Sequence, residues 1–438
     1  MKIAIVGLGF VGLSLAAVLA SKNKSIIGID IDEKKCEKIR NITIPFYEPG
    51  LENILKTSLK KNNLIISNDF SLVKNCDMVF VTVGTPQKSN GQIELAMIKK
   101  SMTTIGKFLK KNNNKPIIFI KSTVIPGTIQ NVIIPILEKN SGKKNNNGFG
   151  IISNPEFLQE SNAIHNTKFP HAIVLGGEDT KFMKRAETFF SKMYSNVPII
   201  KTNYQSAEMI KYANNSFLAT KITFINQLSN ICQNIPGSNI DDIARGIGLD
   251  PRIGKLFLNA GPGYGGSCLP KDMKALINFS ESIGITPTLL NAVEKTNRDQ
   301  INNIISLLKK KLGTLSGKKI TILGTAFKPN TDDIRDSKSI ELIKKLLKNN
   351  AKITVHDPKA LGNTKKIFNQ KIRYENLIVD ALETSQCAII MTHWSEYDKL
   401  NNKLLRKMKK KFIIDCRRVL ADRKLDVQYY AIGLGKKI

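Results

Sequence analysis

The sequence predicts an α/β chain in which a long central helix joins two parallel sheets. Through the first 200 residues, β-branched runs typical of buried strands alternate with helix-like stretches, which favours a doubly wound sheet. Residues 203–234 contain neither glycine nor proline, and their apolar residues recur three and four apart, which indicates one helix of about 30 residues. Strand-like runs return after residue 318 and predict a second, smaller sheet.

The first predicted strand is Ile3–Val6, a β-branched run suited to burial. A G-x-G-x-x-G stretch follows it and precedes an apolar, alanine-rich run at 13–19. Strand, glycine loop and helix in this order bind the phosphates of a dinucleotide. The loop residues predicted to contact the cofactor are Gly7, Gly9, Val11 and Gly12.

The opening segment also fits an export signal, because a lysine, an apolar run and the small residues Ala20 and Ser21 follow one another. A second strand-like run that ends in Asp30 favours the dinucleotide interpretation. Asp30 lies 18 residues after Gly12, where a carboxylate binds the adenosine ribose and repels a 2′-phosphate. The sequence therefore predicts NAD rather than NADP, although the nearby Lys35 is a cation that could tolerate that phosphate.

Three further strand-like runs, 78–86, 116–128 and 150–158, end in polar residues. Ligands of doubly wound sheets bind at the carboxyl ends of the strands. The polar residues at these ends are Thr82, Thr85, Thr123 and Glu156. For an isolated threonine, ordinary hydrogen bonding at a strand end is the simpler interpretation. The asparagine- and lysine-rich stretches 111–115 and 143–147 are predicted to be solvated loops.

Length and composition favour a cytoplasmic enzyme. At 438 residues, the chain should form two or three domains with their own cores. No apolar run reaches the roughly 20 residues that span a bilayer, which predicts no membrane partner. The six cysteines lie far apart without a C-x-x-C pair, so the sequence indicates neither a disulfide framework nor a metal site.

The formal net charge of +31 raises the alternative of a basic nucleic-acid-binding protein. The lysines are spread along the whole chain among many asparagines and isoleucines, and no nucleic-acid motif accompanies them. We therefore predict no nucleic-acid partner. A positive field would still attract an anionic substrate.

The second sheet is predicted from four strand-like runs, at 318–337, 351–358, 387–392 and 412–416. Between the long helix and this region, helix-like sequence continues to about residue 310. The domain boundaries predicted from this pattern are 1–200, 201–305 and 306–438.

The stretch "GPGYGGSCLPKD" (261–272) is the most informative for chemistry. Its glycines let the backbone approach a ligand closely. Cys268 comes just before Pro270, which suits the first position of a helix, and helix amides together with Lys271 favour a thiolate. Free cysteines are more often buried and inert. The residues alone leave both interpretations of Cys268 open.

A dinucleotide site combined with a nucleophilic cysteine indicates a four-electron oxidation. Hydride transfer from an alcohol gives an aldehyde, to which a thiolate can add. A second hydride transfer gives a thioester, and water releases the acid. A simple alcohol oxidation needs no cysteine.

The whole chain resembles the UDP-glucose/GDP-mannose dehydrogenase family, and within it most closely the bacterial enzymes that oxidise UDP-glucose. The motifs that carry the resemblance are "GLGFVG" at the start, "IPFYEPGLE" (44–52), "VTVGTP", "KSTVIPGT", "NPEFLQESNAI" (154–164), "EMIKYANNSFLATKITFIN" (208–226), "GPGYGGSCLPKD" and "AFKPNTDDIRDS" (326–337). The resemblance implies two Rossmann-like parallel-sheet domains joined by a long central helix. It assigns NAD to 1–200, dimerisation to 201–305 and the UDP-sugar to 306–438.

The resemblance also implies roles for individual residues. Cys268 matches the thiohemiacetal and thioester nucleophile, and Lys211 matches a lysine that deprotonates the alcohol and stabilises the oxyanion. Asn215 lies one helical turn after Lys211 and would donate to the same oxygen. Asp272 matches an aspartate that activates water and orients the lysine, and Arg252 an arginine that reaches the substrate across a dimer interface.

The resemblance implies three residue sets. The predicted catalytic residues are Cys268, Lys211, Asn215, Asp272, Glu156 and Thr123. The predicted cofactor contacts are Gly7, Gly9, Val11, Gly12, Asp30, Lys35, Thr85, Thr123, Glu160, Lys271 and Arg335. The predicted substrate contacts are Glu156, Phe157, Leu158, Gln159, Glu160, Lys211, Asn215, Arg252, Phe257, Leu258, Asn259, Ala260, Gly261, Gly265 and Lys328.

Four positions, in three of the motifs and segments, depart from the family pattern. Gln159 and Ser161 stand where the family commonly has arginine and glycine, Leu269 where phenylalanine is usual, and Cys416 where glycine is frequent. None removes a predicted catalytic group. The predicted reaction is the oxidation of UDP-glucose to UDP-glucuronate with two NAD, and the same chemistry on GDP-mannose or another nucleotide sugar is the alternative.

Overall fold

The computed structural model describes residues 1–22, 24–88, 90–178 and 180–435. They form two compact units, the first Met1–Asn214 and the second from Asn215 onward. The long helix predicted at 203–234 is present as Tyr204–Cys232. The α/β class and the two sheets are confirmed.

The first unit is built on one sheet. Its strands are β1 (Lys2–Val6), β2 (Ser25–Ile29), β3 (Leu64–Ser67), β4 (Met78–Val81), β5 (Ile117–Ile120), β6 (Gly150–Ser153), β7 (Ile173–Gly176) and β8 (Ile199–Thr202). Within the described residues, they lie in the order β3-β2-β1-β4-β5-β6-β7-β8. The neighbours pair in parallel, except that β6 and β7 pair antiparallel through Ser153 and Gly176.

The helices of the first unit are α1 (Phe10–Ser21), α2 (Glu33–Arg40), α3 (Leu51–Lys60), α4 (Ala96–Leu109), α5 (Ile134–Ser141), α6 (Ala163–Lys168) and α7 (Lys181–Met193), followed by α8 (Tyr204–Cys232), which carries residues of both units. A 3₁₀ segment lies at Phe70–Asn75 and a π-helical segment at Ile129–Ile133. The six-residue α6 connects β6 to β7, and an antiparallel neighbour needs no full crossover. The predicted parallel sheet is confirmed, with this one described pair as an antiparallel exception.

β1 is buried on both faces, as its continuous apolar run predicts. Ile3 and Ile5 pack in a core with α1, α3, α6 and α7, whereas Ala4 and Val6 pack in a second core with α4 and α5. The opening segment of the chain is therefore the centre of a sheet together with the helix that covers it.

The second unit contains a smaller sheet. Its strands are β9 (Lys319–Leu323), β10 (Lys352–His356), β11 (Arg373–Tyr374), β12 (Cys387–Ile390), β13 (Phe412–Asp415) and β14 (Gln428–Ala431), in the order β11-β10-β9-β12-β13-β14 and parallel throughout the described pairs. Its helices are α9 (Ile240–Gly248), α10 (Leu269–Ser282), α11 (Thr288–Leu312), α12 (Lys338–Lys348), α13 (Leu361–Phe368), α14 (Ile378–Leu382) and α15 (Asn402–Leu405). The predicted helical stretch to about residue 310 corresponds to α9 to α11.

Several predicted strands are shorter in the structure. The runs at 78–86, 116–128 and 150–158 contain strands of four residues each, and their polar continuations form the loops at the sheet edge. The loop at 111–115 is not wholly solvated, because Asn112 is buried and its amide donates to the carbonyl oxygens of Val73 and Cys76.

No helix in the described part of the chain is long and apolar enough to cross a bilayer. Among the same residues, no group of three or more His, Cys, Asp or Glu side chains is arranged to hold a metal ion.

Candidate active site

The glycine loop between β1 and α1 has the space that a phosphate group needs. A Cβ at Gly12 would lie 1.8 Å from the carbonyl oxygen of Gly7, and Gly7 has a φ of +96°, so both positions require glycine. At Gly9, a Cβ would meet no atom within 4 Å. The first turn of α1 has neither an acidic residue nor a side-chain cap. Its N-terminal N–H groups therefore fit the pyrophosphate of a dinucleotide.

Asp30 follows β2 and fixes the glycine loop. One of its carboxylate oxygens, Oδ2, accepts the N–H of Leu8 at 2.7 Å, and the other, Oδ1, accepts the N–H of Asp32 at 3.1 Å. Lys35 Nζ lies 2.8 Å from Oδ2. The sequence left open whether Lys35 could bind a 2′-phosphate. In the structure Lys35 forms an ion pair with Asp30, so its charge is balanced at the place where the ribose is expected.

Two of the strand-end threonines bond to the protein itself. The hydroxyl of Thr82 donates to the carbonyl oxygens of Val6 and Gly7, and that of Thr85 donates to the carbonyl oxygen of Thr123 at 2.8 Å. Thr85 and Thr123 therefore meet where the loops after β4 and β5 come together. The simpler interpretation holds for the Thr82 and Thr85 side chains, and a cofactor role for Thr85 and Thr123 stays a prediction.

Glu156 and Lys211 form a buried ion pair in the first unit. Lys211 Nζ lies 3.1 Å from Glu156 Oε1 and also donates to the Glu156 carbonyl oxygen at 2.6 Å. The other carboxylate oxygen accepts the N–H of Leu158 at 2.5 Å. The Lys211 ammonium lies 5.5 Å from the centre of the Phe157 ring. The structure thus brings together four of the predicted substrate contacts.

The residues after Leu158 form an irregular turn. The N–H of Gln159 donates to Asn166 at 3.1 Å, its side chain is exposed, and Glu160 is partly buried. Ser161 has a φ of +65° in the left-handed region, where glycine is unstrained. This backbone conformation explains why glycine is the family's common residue here.

Cys268 is the residue just before α10 in the second unit. The six cysteines are all among the described residues, and Cys268 is exposed whereas the other five are buried. Its Sγ lies 3.5 Å from the hydroxyl of Ser267. The helix begins at Leu269, so Pro270 occupies its second position rather than the first. An exposed thiol at a helix N-terminus can react as a thiolate.

Gly265 and Gly266, just before Cys268, pack closely against residues 327–336 of the loop that follows β9. A Cβ at Gly265 would lie 2.3 Å from the carbonyl oxygen of Asp336, and one at Gly266 would lie 2.6 Å from the ring of Phe327. The N–H of Gly266 donates to the carbonyl oxygen of Arg335 at 3.0 Å. The motifs "GPGYGGSCLPKD" and "AFKPNTDDIRDS" are therefore neighbours within the second unit.

Asp272 lies one turn after Cys268 on α10 and is 1 % exposed. Its carboxylate accepts a hydrogen bond from Asn215 Nδ2 at 2.6 Å and pairs with Lys271 Nζ at 2.5 Å. Its N–H donates to the carbonyl oxygen of Cys268 at 2.9 Å. Lys271, predicted as a cofactor contact, is placed here as the partner of Asp272.

The loop 257–261 has a constrained backbone. Phe257 has a φ of +65°, an uncommon conformation for a bulky residue, which occurs most often at functional sites. The N–H of Gly261 donates to Asn226 at 2.7 Å, and a Cβ at Gly261 would lie 2.5 Å from the Arg417 guanidinium. The carbonyl oxygen of Ala260 accepts a hydrogen bond from Arg418 at 3.1 Å. Leu258 and Ala260 are buried, whereas Asn259 is exposed.

Three predicted cationic contacts lie at the surface of the second unit or near it. Lys328 is partly buried, with its Nζ 5.8 Å from the centre of the Phe327 ring. Arg335 pairs with Asp333 at 2.6 Å and is largely exposed. The side chain of Arg252 is 87 % exposed and pairs with Asp250 at 2.7 Å.

Comparison with known proteins settles the family. The NAD-binding, central and UDP-binding domain models of the UDP-glucose/GDP-mannose dehydrogenase family match residues 1–194, 205–299 and 321–422. The chain belongs to this family. It is 37% identical over 437 residues to the UDP-glucose 6-dehydrogenase TuaD of Bacillus subtilis, which covers 99% of this chain and 93% of the relative.

Two further similar proteins carry the name of the same enzyme class. A UDP-glucose 6-dehydrogenase of Rickettsia conorii is 38% identical over 443 residues, covering 99% of both chains. A solved structure of a UDP-glucose dehydrogenase from Pyrobaculum islandicum superposes with a TM-score of 0.91 at 32% identity, covering 99% of this chain and 98% of that one. Within this dehydrogenase family, the glycine loop and Asp30 belong to the NAD-binding domain.

Three residues of this dehydrogenase were not found from the sequence. Lys121 and Glu208 are polar residues beside the predicted site, and Arg417 lies against Gly261. Burial raises the pKa of Glu208 to about 7, although the N–H groups of Gly127 and Ile129 donate to its carboxylate. Burial lowers the pKa of Arg417 to about 10. Lys121 and Glu208 lie inside the "KSTVIPGT" and "EMIKYANN" motifs, so the sequence signal was present.

We expect NAD to be used with a kcat/KM about 5- to 150-fold above that of NADP, since a 2′-phosphate beside Asp30 would be repelled. The Asp30→Asn variant should lose most of this preference, because it removes the repelling charge and frees Lys35. Initial rates with both cofactors measure this. Glu37→Gln, an exposed acidic residue on α2, is the matched control. Equal efficiency of wild type with both cofactors would contradict the role of Asp30.

Proposed function

We propose that this chain oxidises UDP-glucose to UDP-glucuronate with two molecules of NAD. The observation that carries the proposal is Cys268, an exposed thiol at the start of a helix whose next turn bears the buried carboxylate Asp272. The relatives named UDP-glucose 6-dehydrogenase support this substrate over GDP-mannose. The balanced reaction converts one CH₂OH group, two NAD⁺ and one water into a carboxylate, two NADH and three protons.

In the first oxidation, Lys211 takes the proton of the substrate alcohol, and Asn215 donates to the same oxygen. The two residues lie four apart on α8, which places them on one helix face. NAD, when bound, accepts the hydride in each oxidation. Lys211 acts as a base only when its amine is neutral. After it has taken the proton, its ammonium is stabilised by the ion pair with Glu156.

In the second stage, the Cys268 thiolate adds to the aldehyde carbon, and the carbonyl oxygen becomes the thiohemiacetal hydroxyl. This covalent bond retains the aldehyde, so no free aldehyde should leave the enzyme. Loss of the second hydride converts the thiohemiacetal into a thioester. In this step Lys211 removes the proton of the thiohemiacetal hydroxyl, and Asn215 donates a hydrogen bond to the same oxygen.

The last step is hydrolysis of the thioester. Asp272 is assigned to the water that attacks the thioester carbon, because it is ionisable, buried and one turn from Cys268. Its contacts with Asn215 and Lys271 hold the carboxylate in one orientation. Attack of water releases the carboxylate product and returns the Cys268 thiol.

Substrate contacts are proposed from the loop 257–261, from Gly265 and Lys328, and from the "NPEFLQE" segment. In this proposal the domains remain those predicted, with NAD on 1–200, dimer contacts on 201–305 and the UDP-sugar on 306–438. The positive φ of Phe257 and the close contacts of Gly261 and Gly265 support a loop with a fixed backbone conformation at the proposed substrate contacts.

We further propose a homodimer formed through α8. Phe217, Phe224 and Ile231 recur every seven residues on this helix and are 65%, 52% and 51% exposed. Such an apolar stripe is typical of a helix that packs on a partner. The exposed Arg252 is then available to reach a neighbouring copy. Sedimentation equilibrium tests this, and a monomer at micromolar concentration would contradict it.

A cytoplasmic location is proposed on chemical grounds. Cys268 must stay reduced to act as a nucleophile, and free thiols persist in reducing compartments. The remaining five cysteines are buried and unpaired by disulfides.

The proposal predicts two NADH per UDP-glucose and no aldehyde in solution. NADH absorbance with limiting sugar nucleotide gives the stoichiometry, and a hydrazide probe detects any free aldehyde. GDP-mannose and UDP-N-acetylglucosamine, supplied in parallel, are expected to react poorly. A yield of one NADH with released aldehyde would make this an ordinary alcohol dehydrogenase, and a preference for GDP-mannose would favour the alternative substrate.

A further inference from the structure

Lys121 is a second lysine beside the Glu156–Lys211 ion pair. It directly follows β5, and its Nζ donates to both the backbone carbonyl oxygen and the Oδ1 of Asn154, at 3.3 and 3.0 Å. Asn154 is buried and is itself fixed, because its N–H donates to Ile120 and its side-chain amide donates to Val174, both at 2.9 Å. The Lys121 ammonium therefore bridges the ends of β5 and β6.

This ammonium acts on the same carboxylate as Lys211. Glu156 comes two residues after Asn154, and Lys121 and Glu156 line one cavity of about 130 Å³. The pKa of Lys121 is lowered to about 8, mainly by burial; the charge of Lys211 contributes to this shift and the charge of Glu156 opposes it. A lysine with this pKa is still mainly charged at pH 7. The Glu156 carboxylate is thus in an ion pair with Lys211, and the Lys121 ammonium is close enough to interact electrostatically with both groups.

We propose that Lys121 is a positioning residue that favours the neutral, proton-accepting form of Lys211. The inference rests on the proposed function, in which Lys211 deprotonates the alcohol. One positive charge balances Glu156, so the second opposes the protonation of Lys211. Through Asn154, Lys121 also fixes the turn that presents Glu156.

The test compares two variants by their pH–rate profiles with UDP-glucose and NAD, from about pH 6 to 10. Lys121→Gln keeps N–H donors for Asn154 but removes the charge, so Lys211 holds its proton more tightly. The acid limb of kcat should move to higher pH by about one unit, with activity recovering as the pH is raised. Lys121→Arg keeps the charge, and its acid limb should stay near that of wild type.

A structural role alone would lower kcat equally at every pH, and that result would overturn the inference. If thermal unfolding shows that Lys121→Gln does not fold, Asn154→Asp takes its place. It retains Lys121 but adds a carboxylate about 3 Å from its ammonium, so the same upward shift is expected, and its absence counts against the inference.

The wild-type profile separates this inference from the proposed function. A wild type that forms no NADH from UDP-glucose at any pH would refute both. An active wild type with an unshifted acid limb in Lys121→Gln would refute the role of Lys121 alone.

Discussion

Replacing Cys268 by serine is expected to abolish net turnover of UDP-glucose. A serine hydroxyl is a far weaker nucleophile than a thiolate at neutral pH, and the N-terminus of α10 favours the anion of a thiol but does not ionise an alcohol. The first oxidation can still proceed, so any product should stop at the aldehyde or at a poorly hydrolysed ester. Steady-state NADH formation should fall by about 1,000-fold or more.

The variant must still bind its ligands for this result to identify the nucleophile. Fluorescence titration with NAD and UDP-glucose should give affinities close to those of wild type, because Cys268 is exposed and no core packing is lost. Cys232→Ala, at a buried cysteine on α8, is the matched control and should keep two NADH per sugar. Normal NADH formation by Cys268→Ser would remove Cys268 from the mechanism.

The parts of the fold that follow from local pattern were predictable. β1, the glycine loop and α1 are contiguous in the sequence. A strand that is buried on both faces needs apolar residues at successive positions, and β1 shows this pattern. The long helix was visible because no glycine or proline interrupts it. The antiparallel pairing of β6 and β7 was not, because strand direction depends on how the connection runs, and the short strand Ile173–Gly176 has no distinctive flanks.

The site was predictable in its residue types but not in its pairings. Motif positions predicted Glu156, Lys211, Cys268 and Asp272 as site residues, whereas contacts between residues far apart in sequence depend on the folded chain. Lys271 is adjacent to Asp272 and pairs with it, a contact that the sequence interpretation did not include, and its cofactor contact stays a prediction. Lys121 stands in the "KSTVIPGT" motif, but the sequence interpretation assigned it no role, because its contact with Asn154, 33 residues away, forms only in the folded chain.

Asp272→Asn is expected to slow thioester hydrolysis more than either oxidation. The substitution keeps the size of the side chain and a hydrogen-bond acceptor for Asn215, but it removes the charge that would take a proton from water. Loss of such a base commonly costs about 100- to 10,000-fold. The enzyme should therefore release a burst of two NADH per site and then stop as a covalent acyl-enzyme.

Intact-protein and peptide mass spectrometry after one turnover detects this species. The expected adduct is a UDP-glucuronyl thioester on the peptide that contains Cys268, and hydroxylamine should remove it. Glu281→Gln, an exposed acidic residue near the end of the same helix, is the matched control and should hydrolyse normally. The charge of Lys271 would be left unbalanced in Asp272→Asn, so thermal unfolding must show that the variant is folded. A folded variant that gives no burst and no adduct would place Asp272 before the first hydride transfer, as a partner that orients Asn215, and would leave the activation of water to another group.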